Sequence, residues 1–242
     1  MLNYREAIYK DYHSNQVNKT AASYSSLIKQ QEAYYSRELI PLIRGDKSQK
    51  LVDLGCGFGS FLSAAKSNGY HNVEGVDLSP EQVAVAHELG LTEIKNESID
   101  AYFERSAGAD CIVGVDIIEH FSKDELMDFL TKCKKHLNKG GQVIFRTPNM
   151  DATMASVYAF ADISHEVFLN KSSALQIMKS AGFKNVEVLP SLIWNQNPIK
   201  EFIRKILWTC HKMSRKFMLF SSGRTWNEVV FTPNIIIRAS KD

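Results

Sequence analysis

Leu51-Val-Asp-Leu-Gly-Cys-Gly-Phe-Gly-Ser60, followed by Val76-Asp77-Leu78-Ser79-Pro80, decides the fold. A short strand runs into glycines at 55, 57 and 59, which let the backbone turn tightly and start a helix with no side chain in a ligand's way. A dinucleotide fingerprint would read Gly-x-Gly-x-x-Gly and seat a pyrophosphate on the helix N-terminus. Here the third position is Ser60, and the pattern is Gly-x-Gly-x-Gly. The strand also carries Asp53 just before the turn, where a carboxylate repels a pyrophosphate and tolerates a zwitterionic amino acid. The next strand, 72–77, ends in Asp77, eighteen positions after Gly59, the place for a bidentate acceptor of two ribose hydroxyls.

A nucleoside that carries an amino acid, a cationic sulfonium and no phosphate is S-adenosylmethionine. The two stretches resemble motif I and the following acidic motif of the class I S-adenosylmethionine-dependent methyltransferases, and the resemblance spans roughly residues 34 to 190. Asp110-Cys-Ile-Val-Gly-Val-Asp-Ile-Ile-Glu-His-Phe121 is similar to the fourth strand and the Glu-His segment of that family. Leu137 to Asn149 is similar to its glycine turn and fifth strand, in a bacterial subgroup that ends the strand in Thr-Pro-Asn and later carries Asp-x-x-His, here Asp162-Ile-Ser-His165. Ala181-Gly-Phe183 continues the match.

The resemblance implies an α/β fold with a Rossmann-like, mostly parallel seven-strand sheet whose last strand is antiparallel. It assigns cofactor contacts to Asp53, Gly55, Cys56, Gly57, Gly59, Asp77, Leu78, Glu97, Ser98 and Asp116, with Glu97 accepting from the adenine amino group and Ser98 making a backbone contact. The subgroup modifies small molecules and surface glycans. The expected reaction is therefore methyl transfer to an oxygen, of a sugar or of a phosphorylated or lipid-linked precursor of a bacterial surface polysaccharide. A small aromatic or quinone-like hydroxyl is the alternative acceptor, and a cofactor-binding regulatory protein without catalysis is the alternative of another class.

Composition agrees. With 242 residues, 44% of them apolar, the chain suffices for one α/β core with an appendage. Cysteines 56, 111, 133 and 210 lack paired metal spacing and read as buried thiols in a reducing compartment. Charges and tyrosines stand at the N-terminus where a signal peptide has an apolar run, and no eighteen-residue apolar stretch occurs, so a cytoplasmic protein is expected.

Residues 1–46 read as a helical lid, 47–191 as the cofactor-binding core, 192–230 as an inserted helical cap and 231–242 as the final strand. Ser79-Pro80-Glu81 opens one helix with a cap and a first-turn proline, and Ser122-Lys-Asp-Glu125 is a capping box for a helix that Gly140 ends. Asn185 to Leu189 and Asn234 to Ala239 are the two last strands. Between them, apolar residues from Ile199 to Phe217 recur at helical spacing, interleaved with Lys200, Arg204, Lys205, Lys212, Arg215 and Lys216. From 192 to 224 there are seven Lys or Arg against Glu201 alone, in a chain whose net charge is only +2.

Three readings of this basic helix stay open: a solvated face over a core-facing apolar seam; a surface for an anionic inner membrane face or a lipid-linked substrate, with Trp208 at the interface; and, least favoured, nucleic acid, for which the overall charge is too small.

A hydroxyl acceptor must lose its proton, and histidine is the usual base near neutral pH. His120 and His165 fall beyond the carboxyl ends of strands four and five, where the acceptor belongs, so one of them is expected to be the base. Their alternative roles are helix packing for His120 and a loop-stiffening hydrogen bond to Asp162 for His165. Tyr34 and Tyr35 either close over the methionine end or pack the lid. No metal is expected: Asp116, Glu119 and His120 have the spacing of a divalent site, but two acids and one imidazole make a poor closed set.

Overall fold

The computed structural model describes residues 21–241. Seven strands form one sheet in the order β3-β2-β1-β4-β5-β7-β6. They are β1 (Leu51–Leu54), β2 (Val73–Asp77), β3 (Ile94–Asn96), β4 (Ala109–Val115), β5 (Leu137–Pro148), β6 (Lys184–Pro190) and β7 (Asn234–Ser240). The first five pair in parallel, and β7 runs antiparallel to both neighbours, as the sequence predicts. The helices are α1 (Ala21–Glu38), α2 (Ser60–Ser67), α3 (Pro80–Glu88), α4 (Ile99–Arg105), α5 (Lys123–His136), α6 (Ala155–Ala159), α7 (Lys171–Ser180) and α8 (Pro198–Ser221).

Strand residues point alternately to two apolar layers, each of which must be covered. Val52, Leu54, Ile112, Val143 and Phe145 pack under α5 and α7, against Leu126, Phe129, Ala174 and Met178. Leu51, Cys111, Val113 and Ile144 face the other side, against Leu39, Phe61, Leu62 and Ala86. The chain winds outward in opposite directions from β1 and β4, so their adjacent carboxyl ends leave a crevice at the switch point of the sheet. The glycine turn and Asp116 both lie there.

The caps form where their sequence signals stand. Ser79 accepts from the Gln82 N–H to start α3, and Ser122 and Glu125 close both halves of their box on α5. One boundary differs: α5 ends at His136, and the chain passes at Leu137 directly into β5, so Gly140 lies in the strand instead of ending the helix.

Of the expected lid, residues 1–20 lie outside the described residues, and α1 is the part observed. It packs along α2, where Ser63 donates to Glu32 at 2.7 Å and Asn68 donates to Ser36 at 2.8 Å.

The helix between β6 and β7 forms as predicted, 24 residues long and capped by Asn197, but it is turned over. None of its residues is buried, so its apolar seam is not core-facing. Its half-buried side belongs to Glu201, Arg204, Trp208, His211, Lys212, Arg215 and Leu219, mostly polar or charged. Trp208 stacks on His211 on that side and does not project outward.

Candidate functional site

The crevice is a cleft of about 280 Å³ lined by Gln31 and Tyr35 of α1, Asp53, the glycine turn, Gln82 and Asp116. Gly57 and Gly59 hold left-handed φ values of 54° and 86°. A Cβ on Gly59 would stand 2.5 Å from Ile94 Cδ1 and 2.6 Å from Leu91 Cδ1, so only glycine lets the turn approach β3.

Asp53 and Cys56 both line the cleft. Burial, and then the neighbouring Asp77, push the Asp53 carboxyl well above the usual carboxylate range, and its Oδ1 has no hydrogen-bond partner. Burial likewise raises the Cys56 thiol.

Asp77 accepts from the Gly57 N–H through Oδ2 and from the Ser79 N–H through Oδ1, both at 2.8 Å. It therefore ties the glycine turn to the start of α3, a structural task beside the Ser79 cap. Each carboxylate oxygen keeps a further lone pair for a ligand hydroxyl. Leu78, next in the chain, is 65% exposed and free to lie against a flat ring.

Glu97 is held by an ion pair that the sequence reading did not include. Arg105 Nε donates to both Glu97 oxygens at 2.9 Å, and the same guanidinium donates to Glu74 at 2.6 Å, so the acid belongs to an ion-pair cluster. The Ser98 hydroxyl caps α4 by accepting from the Ala101 N–H at 3.1 Å.

At the far lip, Asp116 holds a left-handed φ of 52° and accepts from Arg146 of β5 at 2.6 Å. Arg146 also faces Glu38 of α1 at 3.5 Å, and the Tyr34 hydroxyl, with one proton to give, lies within hydrogen-bond distance of both the Leu192 carbonyl at 2.5 Å and Glu38 at 3.0 Å. This chain of charges, which sequence reading missed, fastens α1 across the ends of β4 and β5. Tyr34 thus serves as a fastener, and it is Tyr35 that lines the cleft. Gln82, whose buried Oε1 is unpartnered, was also missed.

His120 and His165 come together, with ring centroids 4.8 Å apart. Ser164 Oγ donates its one proton to Asp162 Oδ1 at 2.6 Å, so at 2.9 Å it accepts from the Nδ1–H of His120. His165 Nδ1 lies 2.9 Å from the Ala159 carbonyl, which only accepts, so Nδ1 is again the protonated nitrogen. Both rings are left with an unprotonated Nε2 that has no hydrogen-bond partner among the described residues. The Asp162 carboxylate reaches His120 through Ser164, and the expected link to His165 is made by the backbone, the His165 N–H donating to the Asp162 carbonyl at 3.3 Å. Burial, and then His165, lower the His120 pKa below the ordinary value.

Glu119 lies beneath the pair, its Oε2 accepting from Thr147 at 3.0 Å and its Oε1 unpartnered. Burial, and then Asp116, push its carboxyl well above the usual range. Donor atoms of Glu119, His120 and His165 lie within 4.8 Å of one another. His165 replaces Asp116 in the set read from spacing.

A methyltransferase domain model matches residues 27–188, which hold the glycine turn, Asp77 and both histidines. The chain belongs to the methyltransferase domain family. It is 27% identical over 165 residues to the ubiquinone biosynthesis O-methyltransferase of Cupriavidus pinatubonensis, covering 60% of this chain and 64% of that one. It is 24% identical over 163 residues to the tRNA U34 carboxymethyltransferase of Pseudoalteromonas translucida, covering 62% and 49%. The chain thus spans less than two thirds of either relative.

Among solved structures, the Archaeoglobus fulgidus SAM-dependent methyltransferase superposes with a TM-score of 0.59 at 17% identity, covering 99% of this chain and 100% of that one. Phosphoethanolamine N-methyltransferase 2 of Haemonchus contortus, solved with S-adenosylhomocysteine, gives 0.62 at 18%, covering 100% and 60%.

The residues present fit S-adenosylmethionine. The unpartnered buried Asp53 oxygen suits an ammonium group, the glycine turn leaves room for a backbone-hugging ligand, and Asp77 and Leu78 suit a ribose and an adenine face.

Proposed function

We propose that this methyltransferase transfers the methyl group of S-adenosylmethionine to a hydroxyl oxygen of a sugar, within a phosphorylated or lipid-linked glycan precursor handled at the cytoplasmic face of the membrane. The observation that carries the reaction type is the histidine pair with two bare Nε2 atoms. Transfer from a sulfonium is an in-line displacement whose leaving group is already activated, so the protein chiefly aligns donor and acceptor. The hydroxyl proton still needs a destination. An imidazole with a lowered pKa is neutral at physiological pH and can take it, and the second ring stands ready to share it. The acceptor class is supported by the Glu-His, Thr-Pro-Asn and Asp-x-x-His resemblance and by the basic insertion after β6. The test is a panel of nucleotide sugars, lipid-linked sugars and catechols scored for transfer of labelled methyl. Incorporation into sugars supports the reading, and incorporation into catechols alone overturns it.

A second reading rests on Glu119, whose carboxylate has a donor atom within 4.8 Å of those of the same two histidines. Together they offer a carboxylate and two imidazoles to a divalent cation. Such an ion would lower the pKa of an acceptor hydroxyl, which suits an aromatic diol; the Cupriavidus relative is named for ubiquinone biosynthesis. Loss of transfer on chelation, restored by a divalent salt, would select this reading.

A further inference from the structure

We propose that α8, with the segment it rests on, is a monotopic membrane-surface element that binds anionic bilayers through an apolar face turned away from the protein. At 3.6 residues per turn, Ile199, Phe202, Ile203, Ile206, Met213, Phe217 and Phe220 share one side of α8. All are at least 50% exposed, and Phe217 is 72% exposed. The opposite side rests on the body through polar contacts: His211 pairs with Thr153 Oγ1 at 2.9 Å, and Arg215 donates to the Asp151 carbonyl at 3.3 Å. A surface helix of a water-facing protein does the reverse.

The segment touched by those contacts is also apolar toward solvent. Met154, Phe160 and Ile163 are 69%, 74% and 82% exposed, so the segment beside those contacts adds exposed apolar residues of its own. An exposed apolar stripe such as that on α8 marks an interaction site.

Charge selects the occupant. Lys200 stands on one border of the outward face, and Lys205 and Lys216 on the other, all exposed. Lysines bordering an apolar stripe match the headgroups of an anionic leaflet, with the stripe in the acyl boundary. A second copy pairing through the same stripe would bring like-charged lysine rows together. No described helix is long and apolar enough to cross a membrane, which leaves lying on it.

Asp162 lies in this segment and Ser164 and His165 follow it directly, so the proposed acceptor end of the site adjoins this segment. Delivery of a lipid-borne acceptor from the bilayer rests on the proposed function. The surface binding does not.

The test is vesicle co-sedimentation of the full chain at low salt, with phosphatidylglycerol-containing and pure phosphatidylcholine vesicles, alongside light scattering after gel filtration. Retention on the anionic vesicles alone, weakened by salt, is expected. Lys200→Gln, Lys205→Gln and Lys216→Gln should each reduce partitioning by roughly five-fold, about 1 kcal/mol per charge near the surface. Phe202→Asp with Phe217→Asp should abolish retention while leaving helical circular dichroism and S-adenosylmethionine affinity unchanged. The proposal is overturned by an absence of retention of the native chain, by equal retention on neutral vesicles, or by a concentration-dependent dimer that the Phe202/Phe217 pair of changes dissolves. Loss of methyl transfer with vesicle retention intact would instead count against the acceptor reading.

Discussion

The glycine-turn end of the site, where the cofactor is proposed to lie, and the histidine pair, the proposed acceptor end, are built in different ways. At the cofactor end, one strand-turn-helix supplies the ligand-facing backbone, and Asp77 from the neighbouring strand closes it with two 2.8 Å hydrogen bonds. At the acceptor end, His120 is held by Ser164 from 44 positions away, His165 is held by Ala159, and Arg146 bridges Asp116 to a helix that precedes the sheet. The first end is local geometry enforced by steric exclusion; the second is a network assembled only when the sheet has formed. A turn of glycines can serve any acceptor, whereas the network is where this chain can specialise.

The contrast predicts separable losses. Removing either imidazole should strike chemistry alone: His120→Ala or His165→Ala, whichever is the base, is expected to lower kcat by about 10²–10⁴-fold with cofactor affinity unchanged. Stopped turnover measured beside calorimetric titration checks this, and equal loss of cofactor binding would erase the distinction between the two ends. The native kcat/KM should fall as pH drops through the lowered His120 pKa, because protonation fills the bare Nε2. In His165→Ala the acid limb should move to higher pH, since a neighbour that lowers the pKa is gone. A pH profile that stays flat below about 6.5, the ordinary histidine value, would argue against an imidazole base.

At the other end, Gly59→Val should damage fold and cofactor binding together. Its left-handed φ and the 2.5 Å approach to Ile94 predict a loss of about 3 kcal/mol, or roughly 10 °C in melting temperature. Thermal unfolding read by circular dichroism would show it; an unchanged midpoint would mean the turn yields. The smallest effect belongs to neither end. Ser122→Ala removes half of the α5 capping box and should cost about 1 kcal/mol with kcat untouched, a control that destabilisation alone does not mimic the histidine changes.

The same contrast explains what could be read from the chain. Gly55 to Ser60, Asp77, the Ser79 and Ser122 caps and the antiparallel final pair of strands were legible because their signals act over a few residues. His120 and His165 could be placed at the correct end of the sheet, but not as partners, since their contact depends on how the 150–168 segment folds back on β4. The ion pair that holds Glu97 was not legible, because spacing does not show that Arg105, eight residues on, shares its carboxylate. Helical spacing in 199–217 revealed an amphipathic helix, yet periodicity is blind to which face meets the protein, and here it is the charged one.

The central claim is that the crevice at the switch point of the sheet holds S-adenosylmethionine through Asp77 and the glycine turn. Calorimetric titration with S-adenosylmethionine and S-adenosylhomocysteine, on the native chain and on Asp77→Ala, tests it most directly. The account predicts micromolar binding of both ligands to the native chain, weakened by roughly ten- to hundred-fold in the variant as hydrogen bonds to a charged group are lost. No binding by a folded native chain, or equal binding by Asp77→Ala, would contradict it.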